Sequence, residues 1–318
     1  MAAQAASISL SHHEPLQRLS ISGASVDGSQ KIGATGPVEM SFDALGRSFE
    51  LQLSPNGRLL DAARDLTGNS VIPYRGTLAG NDSSWVRIVI ADGAPSGLIW
   101  DGSELLAIER PGENIAGADT SIIYRLADAV IAPGSMTCGA GASPTNGAAV
   151  YKSLGAELNA TMAEAVGAEK MIDIGAVGDA EFAAIHGANA RRAILDRLNN
   201  VDGIFSAELG IQINVPLVQV FTDPAAAMYP FDKGTEPSTL RAGDLLEELA
   251  AYRNGEPNQN VNGLTHLWTG KNVESDTGND STVGIAYTGA LCSQRFGAGL
   301  SEGRNRTFDS LVAAHEIG

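Results

Sequence analysis

Short alternating segments broken by turn chemistry fill residues 1–130. Phe49, Leu51 and Leu53 take every second place in Ser48–Leu53, which puts them on one face of a half-buried antiparallel strand. Further strands are expected at Arg18–Ile21, Val38–Phe42, Val71–Leu78, Trp85–Ala91, Ser96–Trp100, Glu104–Glu109 and Ile122–Ala127. Between them stand Asp43-Ala-Leu-Gly46, Pro55-Asn-Gly57, Gly80-Asn-Asp82, Asp92-Gly93 and Asp101-Gly102, all residues that open turns or accept positive φ. No histidine, cysteine or carboxylate cluster with catalytic spacing occurs here, and His12 and His13 sit in a polar stretch where solvation is the ordinary state.

Residues 131–165 are small, turn-forming and poor in large apolar side chains, the composition of a flexible linker, with Cys138 inside it. From residue 166 the pattern becomes strand, helix, strand, helix. Met171–Val177 is a short apolar strand. Over Ala188–Phe205, Ile194, Leu198, Val201 and Phe205 fall on one helical face. Ile211–Phe221 reads as a buried strand with an irregularity at Pro216. Ser238 is placed to cap a helix over Leu240–Arg253, with Leu245, Leu249 and Tyr252 as its apolar stripe. Strands Leu264–Thr269 and Thr282–Tyr287 follow, separated by the polar run Gly270–Ser281, and a helix starts near Thr307. The alternation predicts an α+β chain: a β-rich domain over 1–130, the linker, and a domain over 166–318 built on a twisted, mostly parallel sheet with an antiparallel edge strand.

Composition narrows the function classes. Hydrophobic residues make up 43%, enough for real cores. Thirty-seven acids against 21 bases leave a net charge of −16, spread over both halves. Without a basic face to neutralise phosphates, nucleic acid and anionic membranes are unexpected partners. No apolar run approaches the ~20 residues of a bilayer span, so membrane insertion is not expected either. The start, MAAQAASISLSHHEP, has no basic or apolar signal region but carries small residues in an Ala-x-Ala pattern, as if a signal preceded it. The end, inside an apolar-periodic segment, reads as that of a fragment.

The chain finishes Leu311-Val-Ala-Ala-His-Glu-Ile-Gly318. A His-Glu pair on a helix is the first half of H-E-x-x-H, in which two histidines one turn apart reach one zinc and the glutamate serves as general base. With Ile172-Asp-Ile-Gly-Ala-Val-Gly-Asp179, Leu264-Thr-His-Leu-Trp-Thr-Gly270 and Thr282-Val-Gly-Ile-Ala-Tyr-Thr-Gly-Ala-Leu-Cys292 ahead of it, the second half of the chain resembles the reprolysin-like (adamalysin-type) metzincin metallopeptidases. Tyr74-Arg-Gly-Thr-Leu-Ala-Gly80, Ser84-Trp-Val-Arg87 and Asp92–Ile99 are similar to the β-rich propeptide that precedes such domains.

The resemblance implies a zinc-dependent endopeptidase in proenzyme form, secreted or extracellular, acting on proteins or peptides. His315 matches the first zinc ligand and Glu316 the general base, while the other histidines would follow Gly318, so the fragment alone is expected to be inactive. Thr282–Tyr287 resembles the edge strand above the zinc, with Gly284, Ile285, Ala286 and Tyr287 as substrate-binding positions. Cys138, followed by Gly139, has two readings: a thiolate latch on the zinc, or an unpaired or disulfide-bonded linker cysteine. For Cys292 the resemblance implies a disulfide to a cysteine past residue 318; a Cys138–Cys292 bridge is the other pairing. Asp173 matches an acidic calcium ligand, but Gly263 stands where its partner aspartate belongs, which leaves calcium open. His186 and His266 fit no metal spacing with His315 and are expected to be ordinary hydrogen-bonded side chains. The rival function is a non-catalytic secreted binding or adhesion module with a degenerate zincin-like domain.

Overall fold

The computed structural model describes residues 8–23, 36–64, 71–131, 137–138, 170–231, 239–275 and 282–318. Alternation and two-residue turns generate the first half. Nine strands form one antiparallel sheet in the order Glu14–Pro15, Ile122–Arg125, Leu105–Glu109, Ala94–Trp100, Asn81–Ala91, Val71–Leu78, Arg47–Pro55, Val38–Ala44 and Gln17–Ser22. Leu45 and Gly46 (φ 52° and 74°) and Asp92 and Gly93 (φ 52° and 77°) take left-handed conformations in two-residue hairpins, where the strands' own twist demands them. One face of this sheet packs on itself through Met40, Phe42, Leu51, Tyr74, Val86 and Ile88. The other face carries Trp85, Leu98, Trp100, Leu105 and Ala107 into a core shared with the second half of the chain. Strands 81–109 are therefore buried on both sides.

The second half is a six-stranded sheet in the order Thr137–Cys138, Thr282–Ala286, Ala298–Glu302, Leu264–Thr269, Lys170–Gly178 and Ile211–Val220. Every pairing is parallel except that between Thr282–Ala286 and Ala298–Glu302. The expected irregularity at Pro216 is a register shift: Asp173 faces Asn214, yet Gly175 faces Leu217. Alternate residues feed two cores. Ala176 and Trp268 point to the long helix Ala190–Glu208 and the last helix Arg306–Ile317, whereas Val177 and Leu267 point to Ala242–Gly255. The long helix is thus sandwiched between the two sheets.

Three local expectations are corrected. Pro55-Asn-Gly57 does not simply turn; it leads into a helix over Gly57–Arg64. The helix expected over Leu240–Arg253 starts at Ala242, because Thr239–Arg241 pairs with Asn272–Glu274, itself a strand inside the run expected to be a polar connector. Its N-cap is Arg241, with no side-chain cap; Ser238 lies outside the described residues, as does most of the 131–165 segment. A further helix, Ala180–His186, is capped by Asp179, whose side chain accepts from Phe182 N at 2.7 Å and Gly270 N at 2.9 Å.

Glu302 closes the strand beside Leu264–Thr269, and Val273 N donates to its Oε1 at 2.8 Å. Burial raises its pKa to about 7. A carboxyl whose folded pKa lies above its unfolded value favours folding when protonated, so its ionisation costs stability as pH rises past that value. Glu302→Gln is therefore expected to raise the thermal midpoint near pH 8 and to leave it almost unchanged near pH 5. An equal shift at both pH values, read by circular dichroism, would remove the ionisation account.

Candidate active site

The last helix places the His-Glu pair. Asn305 caps it by accepting from Phe308 N, and Phe308, Leu311 and Val312 lie buried on its inner side. Three to four residues on, the same spacing brings His315 and Glu316 to the C-terminal turn, with His315 exposed and Glu316 half-buried. Both line a cleft of about 370 Å³ walled by Ala286–Leu291 and Gly297–Gly299, with Phe205, Ile211 and Leu264 as apolar floor.

Gly284 meets this helix directly. A Cβ on Gly284 would lie 2.7 Å from Val312 Cγ1 and 2.9 Å from Glu316 Oε1, so a larger residue there would push Val312 or the carboxylate aside. Sequence reasoning placed Gly284 on a substrate strand without seeing this contact. Ile285 and Ala286 continue the strand partly exposed, and Tyr287, expected to be its last residue, lies just past its end and packs edge-on against Phe296 with ring centroids 5.0 Å apart.

The edge expected to be open is covered at its start. Thr137 and Cys138 pair in parallel with it, Thr137 opposite Thr282 and Cys138 opposite Gly284. Cys138 therefore stands, by backbone register, one strand away from the residue that touches Glu316. Its side chain lies outside the described positions. Cys292 is exposed, free of any disulfide, and held at φ 65°.

The two other histidines of the second half are held by hydrogen bonds away from the cleft. His186 Nε2 bonds to Gly303 O at 2.8 Å and His266 Nε2 to Ser301 Oγ at 3.0 Å. Burial lowers their pKa values to about 4 and about 3, so both are neutral at physiological pH and neither faces the cleft. Asp173 accepts from Asn214 Nδ2 at 2.6 Å. Sequence reasoning missed Arg253, buried without a carboxylate beside it and donating to Gln259 O (2.7 Å), Asn262 O (2.6 Å), Thr265 Oγ1 (2.7 Å) and Ser293 O (3.1 Å). By holding Ser293 it fixes the loop that walls the cleft. Only the structure could reveal it, because its partners are main-chain carbonyls and one threonine hydroxyl.

Buried charges of the long helix meet the first sheet. Asp202 Oδ2 accepts from Arg87 Nε at 2.8 Å and from Asn56 Nδ2 at 3.1 Å, and Arg58 Nη2 lies 3.1 Å from Oδ1. Asp196 takes both Nη atoms of Arg110, at 2.7 and 3.1 Å. Glu113 pairs with Arg192 and Arg306, and Glu109 accepts from Thr307 Oγ1 at 3.1 Å. The sequence pattern placed some of these residues in turns, strands or helix starts but marked none of their pairings.

An exposed imidazole beside a half-buried carboxylate, at a cleft mouth that a glycine opens, suits the first ligand and the base of a zinc site. Among the described residues no group of three His, Cys, Asp or Glu is placed to hold a metal, so one ligand position is fitted and not a whole site. No described helix is long and apolar enough to cross a membrane. No curated protein matches the chain. Residues 168–318, however, match the reprolysin model of Metallo-peptidase family M12, and the first sheet lies outside that match. The mixed sheet, its antiparallel strand and the terminal His-Glu helix agree with that match: residues 168–318 belong to the reprolysin-like metzincins, a family of zinc-dependent peptidases.

Proposed function

We propose that this chain is the latent form of a secreted zinc endopeptidase, with residues 1–130 as propeptide-like domain, 131–165 as linker and 166–318 carrying the catalytic machinery. The observation that supports this most is the approach of Gly284 to Glu316, which sets a general base against the strand on which an extended peptide would lie. His315 would hold zinc together with histidines that follow Gly318 in the family motif. Bound zinc supplies Lewis acidity to the scissile carbonyl and to water. Glu316 Oε1 takes a proton from the attacking water and returns it to the leaving amine. The backbone of Ile285–Tyr287 offers donors and acceptors to an antiparallel peptide, which orients it along the cleft. Calcium has no supporting cluster among the described residues.

The test uses the chain continued through the motif's remaining histidines. Chelation is expected to abolish cleavage of an unfolded protein substrate, and one equivalent of zinc to restore it. Activity that survives exhaustive chelation would refute a metallopeptidase.

The parallel pairing of Thr137–Cys138 with Thr282–Gly284 supports the latch reading of Cys138. A strand there occupies hydrogen-bonding groups that a substrate would need. Cys138→Ser in the same longer chain is expected to raise activity before any processing, by roughly tenfold or more if the thiolate binds zinc as firmly as structural thiolates do. Equal latency of Cys138→Ser and the parent would leave strand cover alone as the block.

A further inference from the structure

We infer that the nine-stranded sheet is a permanent partner of the peptidase half, docked on the long helix by a buried charged interface that holds after the chain between residues 139 and 169 is cut. Three independent observations carry this. The first is charge. Asp202 is 0% exposed; Arg58 and Arg87 of the first half neutralise it, and Asn56 of the same half donates a hydrogen bond to it. Asp196 is shared between Arg110 of the first half, which binds both of its oxygens, and Arg306 of the second, whose Nε lies 3.3 Å from Oδ2; burial at both aspartates is outweighed by guanidinium pairing, which keeps them below the usual carboxylate range. Lifting the sheet away would break these charge-assisted hydrogen bonds and open the apolar surface around them to water.

The second is shape. A Cβ on Gly203, mid-helix, would lie 2.6 Å from the Trp85 ring and 2.7 Å from Arg87 Cγ. Glycine weakens a helix interior by about 1 kcal/mol relative to alanine, so its place here is explained by the close seat it gives the Trp85–Arg87 strand. The third is the core itself. Trp85, Leu98, Trp100 and Leu105 pack in one cluster with Leu195, Leu198, Val201 and Leu311. The ring of apolar contact shields the ion pairs from salt.

Among the described residues, none of the nine-stranded sheet lines the cleft. Glu113 and Glu109 grip Arg306 and Thr307 at the start of the last helix, and nine residues of helix set His315 about 14 Å further along. Among the described residues before 170, only Thr137–Cys138 pairs with the strand that leads to the cleft. Freeing that edge therefore does not require release of the sheet, and the sheet continues to hold the helix that bears His315 and Glu316.

The inference does not depend on peptidase activity, so its test reads association. A recognition sequence for a site-specific protease replaces residues 150–155 of the full chain, which is folded and then cut. The two pieces are expected to elute together by size exclusion at neutral pH in both 0.15 M and 1 M NaCl, conditions that strip exposed ion pairs but not buried ones. Amide exchange over residues 195–205 and 306–310 is expected to stay as slow as in the uncut chain. Separate elution, or loss of that protection, would overturn the inference. Arg87→Ala in the cut protein is expected to raise the dissociation constant roughly tenfold or more. If Arg87→Ala prevents folding of the uncut chain, Arg58→Ala gives the same reading from the rim of the pair. Affinity unchanged by the variant that folds would show that the charged face does not hold the pieces.

Discussion

Replacing Glu316 by glutamine is expected to lower peptide hydrolysis by about two to four orders of magnitude in a chain that carries the whole zinc motif, with metal content unchanged. The amide matches the carboxylate in size and keeps an oxygen at the cleft mouth, but it cannot accept the proton of the attacking water. Because Glu316 is half-buried against Gly284 and Val312, an isosteric change preserves packing where Glu316→Ala would open a gap. The split between kcat and KM separates the roles: loss of a proton acceptor falls on kcat, while loss of strand geometry raises KM. Zinc stoichiometry by atomic absorption controls for damage to the site. Turnover within a few-fold of the parent would take Glu316 out of the reaction.

Removing the Asp202 carboxylate charge should be among the most damaging single changes for stability. In Asp202→Asn the guanidiniums of Arg58 and Arg87 lose their shared counter-ion in a buried setting, which costs about 3–5 kcal/mol. For domains of this size that lowers the thermal midpoint by roughly 10 °C. The size of the loss reflects the stranded cations rather than the worth of the pair. The triple change Asp202→Leu, Arg58→Met and Arg87→Met is therefore expected to recover most of it, since apolar replacements of a buried ion cluster are often neutral. A urea titration of the single and triple variants decides the matter. A loss below about 1 kcal/mol for Asp202→Asn would mean that Asp202 is solvated in the folded protein.

Local periodicity carried much of the fold, and the reasons for its failures lie in distance along the chain. Val71–Leu78 and Leu264–Thr269 were legible to the residue, because apolar runs bounded by turn residues state their own ends. Ala298–Glu302 was not, since Ala-Gly-Leu-Ser-Glu has no alternation and is a strand because strands flank it on both sides. Pro55-Asn-Gly57 looked like a turn, yet Asn56 begins a helix and sends its side chain to Asn199 and Asp202, more than 140 residues away. On the long helix the pattern marked Ile194, Leu198 and Val201 as an inner face and was silent about the other. That other face, with Asp196, Asn199 and Asp202, is equally buried, because the first sheet covers it. At the cleft, His315 and Glu316 were legible because metal chemistry fixes their adjacency. The close approach at Gly284 became visible only when a helix 30 residues later was laid across it.

The nine-stranded sheet also orders assembly in time. Most of its strands pair with the next or previous strand in sequence, so most of its contacts are local and the entropy of closing them is small. The six-stranded sheet is the reverse: its parallel strands pair across long crossovers, with Lys170–Gly178 against Leu264–Thr269 and Thr265–Thr269 against Ala298–Glu302. A ribosome adding about 5–20 residues per second finishes the local meander first. When Ala190–Glu208 emerges, Arg58, Arg87 and Arg110 already stand in a fixed array, and the slow parallel sheet is nucleated against a template rather than in open solvent.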